Sequence, residues 1–155
     1  MKGSSIFHIA IDAATQKRDA AQMNLVQVER NRVFAQGQMD QLTNYATETE
    51  ARWLASAQIS AYPELLRHHY QFMDRLRKAI DLQQTVLLDV GSQIDEARKH
   101  LMSLEIRLRS LELMLEKSQA VFKRKQARRE QVQMDEFAAL QHARKRVQPI
   151  HGDTL

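Results

Sequence analysis

Cysteine is absent from this chain. Its absence excludes a disulfide framework and any thiolate chemistry, and it fits a reducing compartment. Proline and glycine are nearly absent too, with two and four among 155 residues, so few positions can stop a helix. Aromatic side chains are sparse for a globular core, at three Tyr, five Phe and one Trp. No stretch approaches the roughly 20 apolar residues of a membrane span. The start, Met1–Lys2–Gly3–Ser4–Ser5–Ile6, carries one positive charge but no apolar block of the signal-peptide kind. These absences lead us to expect a soluble cytoplasmic protein, one domain by length.

Catalytic patterns are missing as well. His68 and His69 are adjacent, so on a helix they point about 100° apart and cannot grip one metal together. His8, His100, His142 and His151 stand alone, with no His–x3–His pair. There is no glycine-rich phosphate loop and no nucleophile with a base at a workable spacing. The acids are scattered among Lys and Arg at the spacings of helix-surface ion pairs. The expectation is a protein with no enzymatic activity, no metal and no cofactor.

What is present is helix. Two apolar stripes recur with alternating steps of three and four, the period of a coiled-coil seam. The first runs Ile11, Ala14, Arg18, Ala21, Leu25, Val28, Arg32, Ala35, Met39, Leu42, Ala46, Thr49, Trp53. The second runs Met73, Leu76, Ile80, Gln83, Leu87, Val90, Ile94, Ala97, Leu101, Leu104, Leu108, Leu111, Leu115. Ser4 or Ser5 offers a cap for the first helix. Gly37 falls inside the first stripe and costs about 1 kcal/mol against Ala without breaking its phase. Pro63–Glu64 is a helix-start pair, because proline lacks an N–H that would be unpartnered there and the acid suits the positive helix end. Pro149 and Gly152 stop the second helix.

The predicted fold class is all-α, two long helices forming an antiparallel coiled coil, the second longer and protruding. The single domain spans residues 1–155: helix one over about 5–57, a turn over about 58–62, helix two over about 63–146, and a frayed tail over 147–155. With the turn near Ser60, Leu25 lies near Glu96 and Ile11 near Ser110, so helix one is used up when helix two reaches about Leu115. Arg18 and Arg32 sit in the first seam, where a charge must snorkel outward or meet an acid. The same fold-back places Arg32 beside Asp89.

Beyond Leu115 the stripe degrades into Ser118, Phe122, Lys125, Arg129 and Val132. The formal charge of +4 is concentrated there: Lys117, Lys123, Arg124, Lys125, Arg128 and Arg129 precede Glu130, and Arg144–Lys145–Arg146 follow. Three readings of this basic arm stand: a solvated helix face, phosphate contacts to nucleic acid, or docking of a helix into an acidic or polar protein cavity. Against nucleic acid, only Phe122 could serve as a stacking platform. Met134, Phe137 and Ala138, within Gln133–Met134–Asp135–Glu136–Phe137–Ala138, form a new apolar stripe out of phase with the seam.

The segment Met134–Asp135–Glu136–Phe137–Ala138, followed by Arg144–Lys145 near the end of a two-helix chain, resembles the flagellar export protein FliJ family. The resemblance covers the whole chain in layout and implies an antiparallel coiled coil similar to the central stalk of rotary ATPases. It implies insertion of the end bearing both termini into the hexameric flagellar export ATPase, promotion of ring assembly, coupling to the FlhA export gate, and escort of empty export chaperones. It also implies a place at the inner face of the cytoplasmic membrane, peripheral through the export apparatus, with no nucleic acid bound. A ring-entering arm then comprises Lys123, Arg124, Lys125, Arg128 and Arg129. The family's gate-docking patch maps onto Gln38, Leu42, Tyr45, Phe72, Leu76 and Ala79; Thr49 and Gln83 align with it but replace a tyrosine and a histidine. Tyr70–Gln71–Phe72–Met73–Asp74–Arg75–Leu76–Arg77–Lys78–Ala79–Ile80 is similar to the family pattern there. On this reading, Phe72→Ala weakens gate binding and leaves helicity and melting unchanged. The alternatives are a basic coiled-coil adaptor for nucleic acid and the equivalent stalk of a virulence type III secretion system.

Overall fold

The computed structural model describes residues 2–57 and 62–147. They form two helices and, among the described residues, no strand: α1 is Lys2–Ala57 and α2 is Pro63–Val147. Residues 58–61 of the expected turn and residues 148–155 of the expected tail lie outside the described residues. α1 begins at Lys2, so Ser4 and Ser5 lie inside its first turn and neither caps it. Pro63 opens α2, and the Leu66 N–H donates to the Tyr62 carbonyl over 3.1 Å, making Tyr62 the residue that leads into the helix. Glu64 sits in the first turn of α2 and Arg144, Lys145 and Arg146 in its last turn, each sign at the favoured end of the helix dipole. α2 still includes Val147, where the tail was expected to begin.

The described chain divides into two compact units. Ala13–Leu108 forms one unit, in which α1 and α2 run antiparallel: as numbers rise along α1 through Glu29, Ala35, Tyr45 and Trp53, their partners fall along α2 through Arg98, Gln83, Phe72 and His69. The other unit joins the chain up to Asp12 with α2 from Arg109 onward.

The two seams are where the periodicity puts them. Ala14, Ala21, Val28, Ala35 and Met39 are buried on α1, as are Leu76, Val90, Ile94, Ala97 and Leu108 on α2. The remaining stripe residues are half-buried, with Arg32 the exception, and the half-buried series on α2 ends at Leu115. Val28, Val90 and Ile94 form a core cluster with Leu25 packed against it, and Ile94 is only 2% exposed. The cluster joins Val28 of α1 to Val90 and Ile94 of α2.

Arg32 departs from expectation. It is exposed, and among the described residues it forms no ion pair with Asp89. Asp89 accepts from Gln93 at 3.1 Å, one turn along its own helix. Among the described residues, Arg98 and Glu29 form an ion pair across the two helices at 3.7 Å. Azimuth explains the substitution: a long side chain at a seam position swings its charge to the rim, where Arg32 lines a shallow groove with Asp95 and Arg98.

In the second unit, Gly3 and Ser4 line one depression with Ser118, Gln119, Phe122, Lys123 and Gln126. The first turn of α1 thus lies beside α2 a little past Leu115, because α1 starts earlier than its serines suggested. From Glu116 to Val147 every residue is exposed.

Candidate docking surfaces

The first candidate surface lies in the unit Ala13–Leu108. Gln38, Leu42 and Tyr45 sit at helical spacings on α1 and line a depression with Gln41 and with Gln83 of α2. The Tyr45 and Phe72 rings meet edge to face, with centroids 5.8 Å apart and planes at 81°. This geometry sets the positive edge of one ring on the negative face of the other. Tyr45 is 50% exposed and Phe72 36% exposed, so each ring has one side against the helix pair and one side outward.

The six mapped residues are not equivalent. Gln38, Tyr45 and Phe72 are exposed, whereas Leu42 and Ala79 are half-buried and Leu76 is buried. Leu76 belongs to the seam and cannot be a surface contact, since its side chain is spent on holding the two helices together. Phe72 also has a packing role through Tyr45, which runs against the expectation that its removal leaves melting unchanged.

Gln83 does more than its position as a family variant suggested. Its Nε2 donates to the main-chain carbonyl of Ala35 at 2.8 Å and also lies 3.3 Å from Gln38 Oε1. It ties the floor of the depression to both helices. The neighbouring stack of Trp53 on His69, with centroids 4.3 Å apart and planes within 7°, escaped the sequence reading. Its signal was there: extending the second stripe back four residues from Met73 lands on His69. Thr49 is half-buried on the same side of α1.

The second candidate surface lies in the other unit. Lys123, Arg124, Lys125, Arg128 and Arg129 are all exposed on one uninterrupted helix. Lys125, Arg128 and Arg129 share a shallow depression with Val132 and Gln133. Met134, Phe137 and Ala138 share the next with Glu130, Gln133 and Gln141, and Met134 and Phe137 are 68% and 63% exposed. Asp135 accepts from Gln131 at 3.2 Å, and Glu136 is exposed. The arm presents cations followed by an apolar strip, and all of these side chains are exposed.

The described residues contain no group of three His, Asp or Glu side chains able to hold a metal ion. None of their helices is long and apolar enough to cross a membrane. The arrangement offers adhesion, through aromatic, amide and cationic side chains on rigid helices.

A family model described as Flagellar FliJ protein matches residues 10–147. Comparison with curated proteins and with solved structures gives no match. The matched range takes in both seams, the Tyr45–Phe72 surface, the basic arm and the Met134–Ala138 segment; the chain belongs to the flagellar FliJ protein family, and so to flagellar protein export.

Proposed function

We propose that this FliJ-family protein is the non-enzymatic stalk of the flagellar export ATPase. The part that carries both the start of α1 and the end of α2 enters the hexameric ring and promotes its assembly. The surface around Gln38, Tyr45 and Phe72 docks on the FlhA export gate, with Leu42, Leu76 and Ala79 supporting it from beneath. The same protein escorts empty export chaperones for reloading, and it works at the inner face of the cytoplasmic membrane as a peripheral component.

The observation that carries this reading is the bare helix from Glu116 to Val147, exposed throughout and rich in cations. A helix whose cations form no ion pair among the described residues has surface to give to another protein. Rim cations of this kind act mainly on association rate and orientation, so binding should weaken as salt rises.

The test is a pull-down from the native cytoplasm with the full chain. The expected result is capture of a hexameric ATPase, and loss of that capture in the triple variant Lys125→Glu, Arg128→Glu, Arg129→Glu at unchanged helicity. Gln38→Ala probes the gate surface: its side chain is exposed, and the Gln83 amide keeps its bond to the Ala35 carbonyl when Gln38 Oε1 is lost. Failure to capture an ATPase, together with salt-steep binding to generic duplex, would replace the reading with the nucleic-acid adaptor.

A further inference from the structure

Continuing the α2 seam spacing past Leu115 gives Ser118, Phe122, Lys125, Arg129, Val132, Glu136, Ala139 and Ala143, all exposed. This is a stripe of about four heptads with no helix over it beyond the first turn of α1, which lies beside Ser118 to Gln126. Its charges are sorted by position. Lys123, Arg124, Lys125, Arg128 and Arg129 fall in the first half, with Glu130 at its end, and Asp135 and Glu136 in the second. Among the described residues, none of Lys125, Arg128, Arg129 and Glu136 forms an ion pair within the chain.

We infer that this stripe pairs with the same stripe of a second copy, antiparallel, about an axis between Glu130 and Gln131. In that register Lys125 faces Glu136 of the second copy, and the flanking Arg128 lies beside its Asp135. Each of these contacts occurs twice by symmetry. Arg129 packs its stem on Val132 of the second copy, while Ser118 and Phe122 lie beside the first turn of α1 and take no part. A parallel pair is excluded by the same residues, since it sets Lys125 on Lys125, Arg129 on Arg129 and Glu136 on Glu136. The axis falls where α1 is not in the way.

The polar seam positions keep the dimer weak. The dimer stands on these residues alone, whatever the arm binds; that it would also hide the cations from an ATPase rests on the function proposed above.

Sedimentation equilibrium of the full chain tests the inference. The wild-type chain is expected to dimerise with rising concentration, more strongly at low salt. Glu136→Lys sets two cation pairs facing each other and should weaken the dimer about tenfold or more. Lys125→Glu combined with Glu136→Lys should restore it. Because the chain has no cysteine, direction is read directly: a mixture of Gln126→Cys and Gln133→Cys chains should form mixed disulfides in preference to like pairs. A chain that stays monomeric to about 1 mM, a dimer indifferent to Glu136→Lys, a double variant that does not recover, or a preference for like disulfides would each overturn the inference. Far-UV circular dichroism accompanies each variant, and unchanged helicity is expected because every substituted side chain is exposed.

Discussion

The contact between Tyr45 and Phe72 can be weighed by a double-mutant cycle. Fully burying a large apolar side chain is worth about 1.5–3 kcal/mol. Phe72 keeps 36% of its surface exposed, so Phe72→Ala should cost about 1–2 kcal/mol. Tyr45 is half exposed, and Tyr45→Ala should cost somewhat less, about 0.5–1.5 kcal/mol. An edge-to-face pair adds about 0.5–1.5 kcal/mol beyond area, and partial hydration of both rings argues for the lower half of that range. The double variant should therefore lose less than the two single losses together, by about 0.5–1 kcal/mol. Urea unfolding followed by far-UV circular dichroism, on the wild type and the three variants, reads all four corners. Additivity within about 0.3 kcal/mol would show that the rings are neighbours without a stabilising interaction, and Phe72 would then be free to serve docking alone.

Other perturbations follow from the same packing. Ile94→Ala removes the most buried side chain and should cost about 2–3 kcal/mol, the low end for such deletions because a two-helix seam can close over the gap or admit water; a loss under about 0.5 kcal/mol in urea unfolding would mean the cluster with Val28 and Val90 is not a core. Gly37→Ala and Gly91→Ala place a methyl group where nothing lies within 4 Å, in helical backbone without positive φ, so each should raise stability by about 0.5–1 kcal/mol. A lower melting temperature for either would mean that the glycine is needed for a backbone bend or a close approach to a partner.

The helical architecture was legible because a seam is written as periodicity. Each residue of the second stripe is buried or half-buried, and so is each of the first except Arg32. Periodicity fixes which face turns inward; it does not fix the rim, where rotamers and a fraction of a turn decide partners. Arg98 finds Glu29 and Trp53 finds His69, while Arg32 finds no acid among the described residues, although all three lie along the same fold-back. The candidate surfaces show the same division. The exposure of Met134 and Phe137 could be read from the seam degrading beyond Leu115, where the in-phase Phe122 and Val132 are exposed as well. The burial of Leu76 could be read from its being in phase, yet the family correspondence marked it as a contact, because such a correspondence names positions and carries no information about solvent access.

Gln83 gives the helix pair a reference mark. A seam of Ala, Leu and Val alone is nearly degenerate, since a slide by one heptad exchanges one apolar layer for another at small cost. Gln83 reaches the Ala35 carbonyl only because alanine leaves the main chain uncovered. Slid by seven residues, its amide would meet Val28 or Leu42, whose larger side chains cover more of their own carbonyls, and the 2.8 Å bond to the main chain would be lost. One polar residue opposite one small one therefore counts the layers, and every surface whose halves come from different helices inherits its alignment from that count.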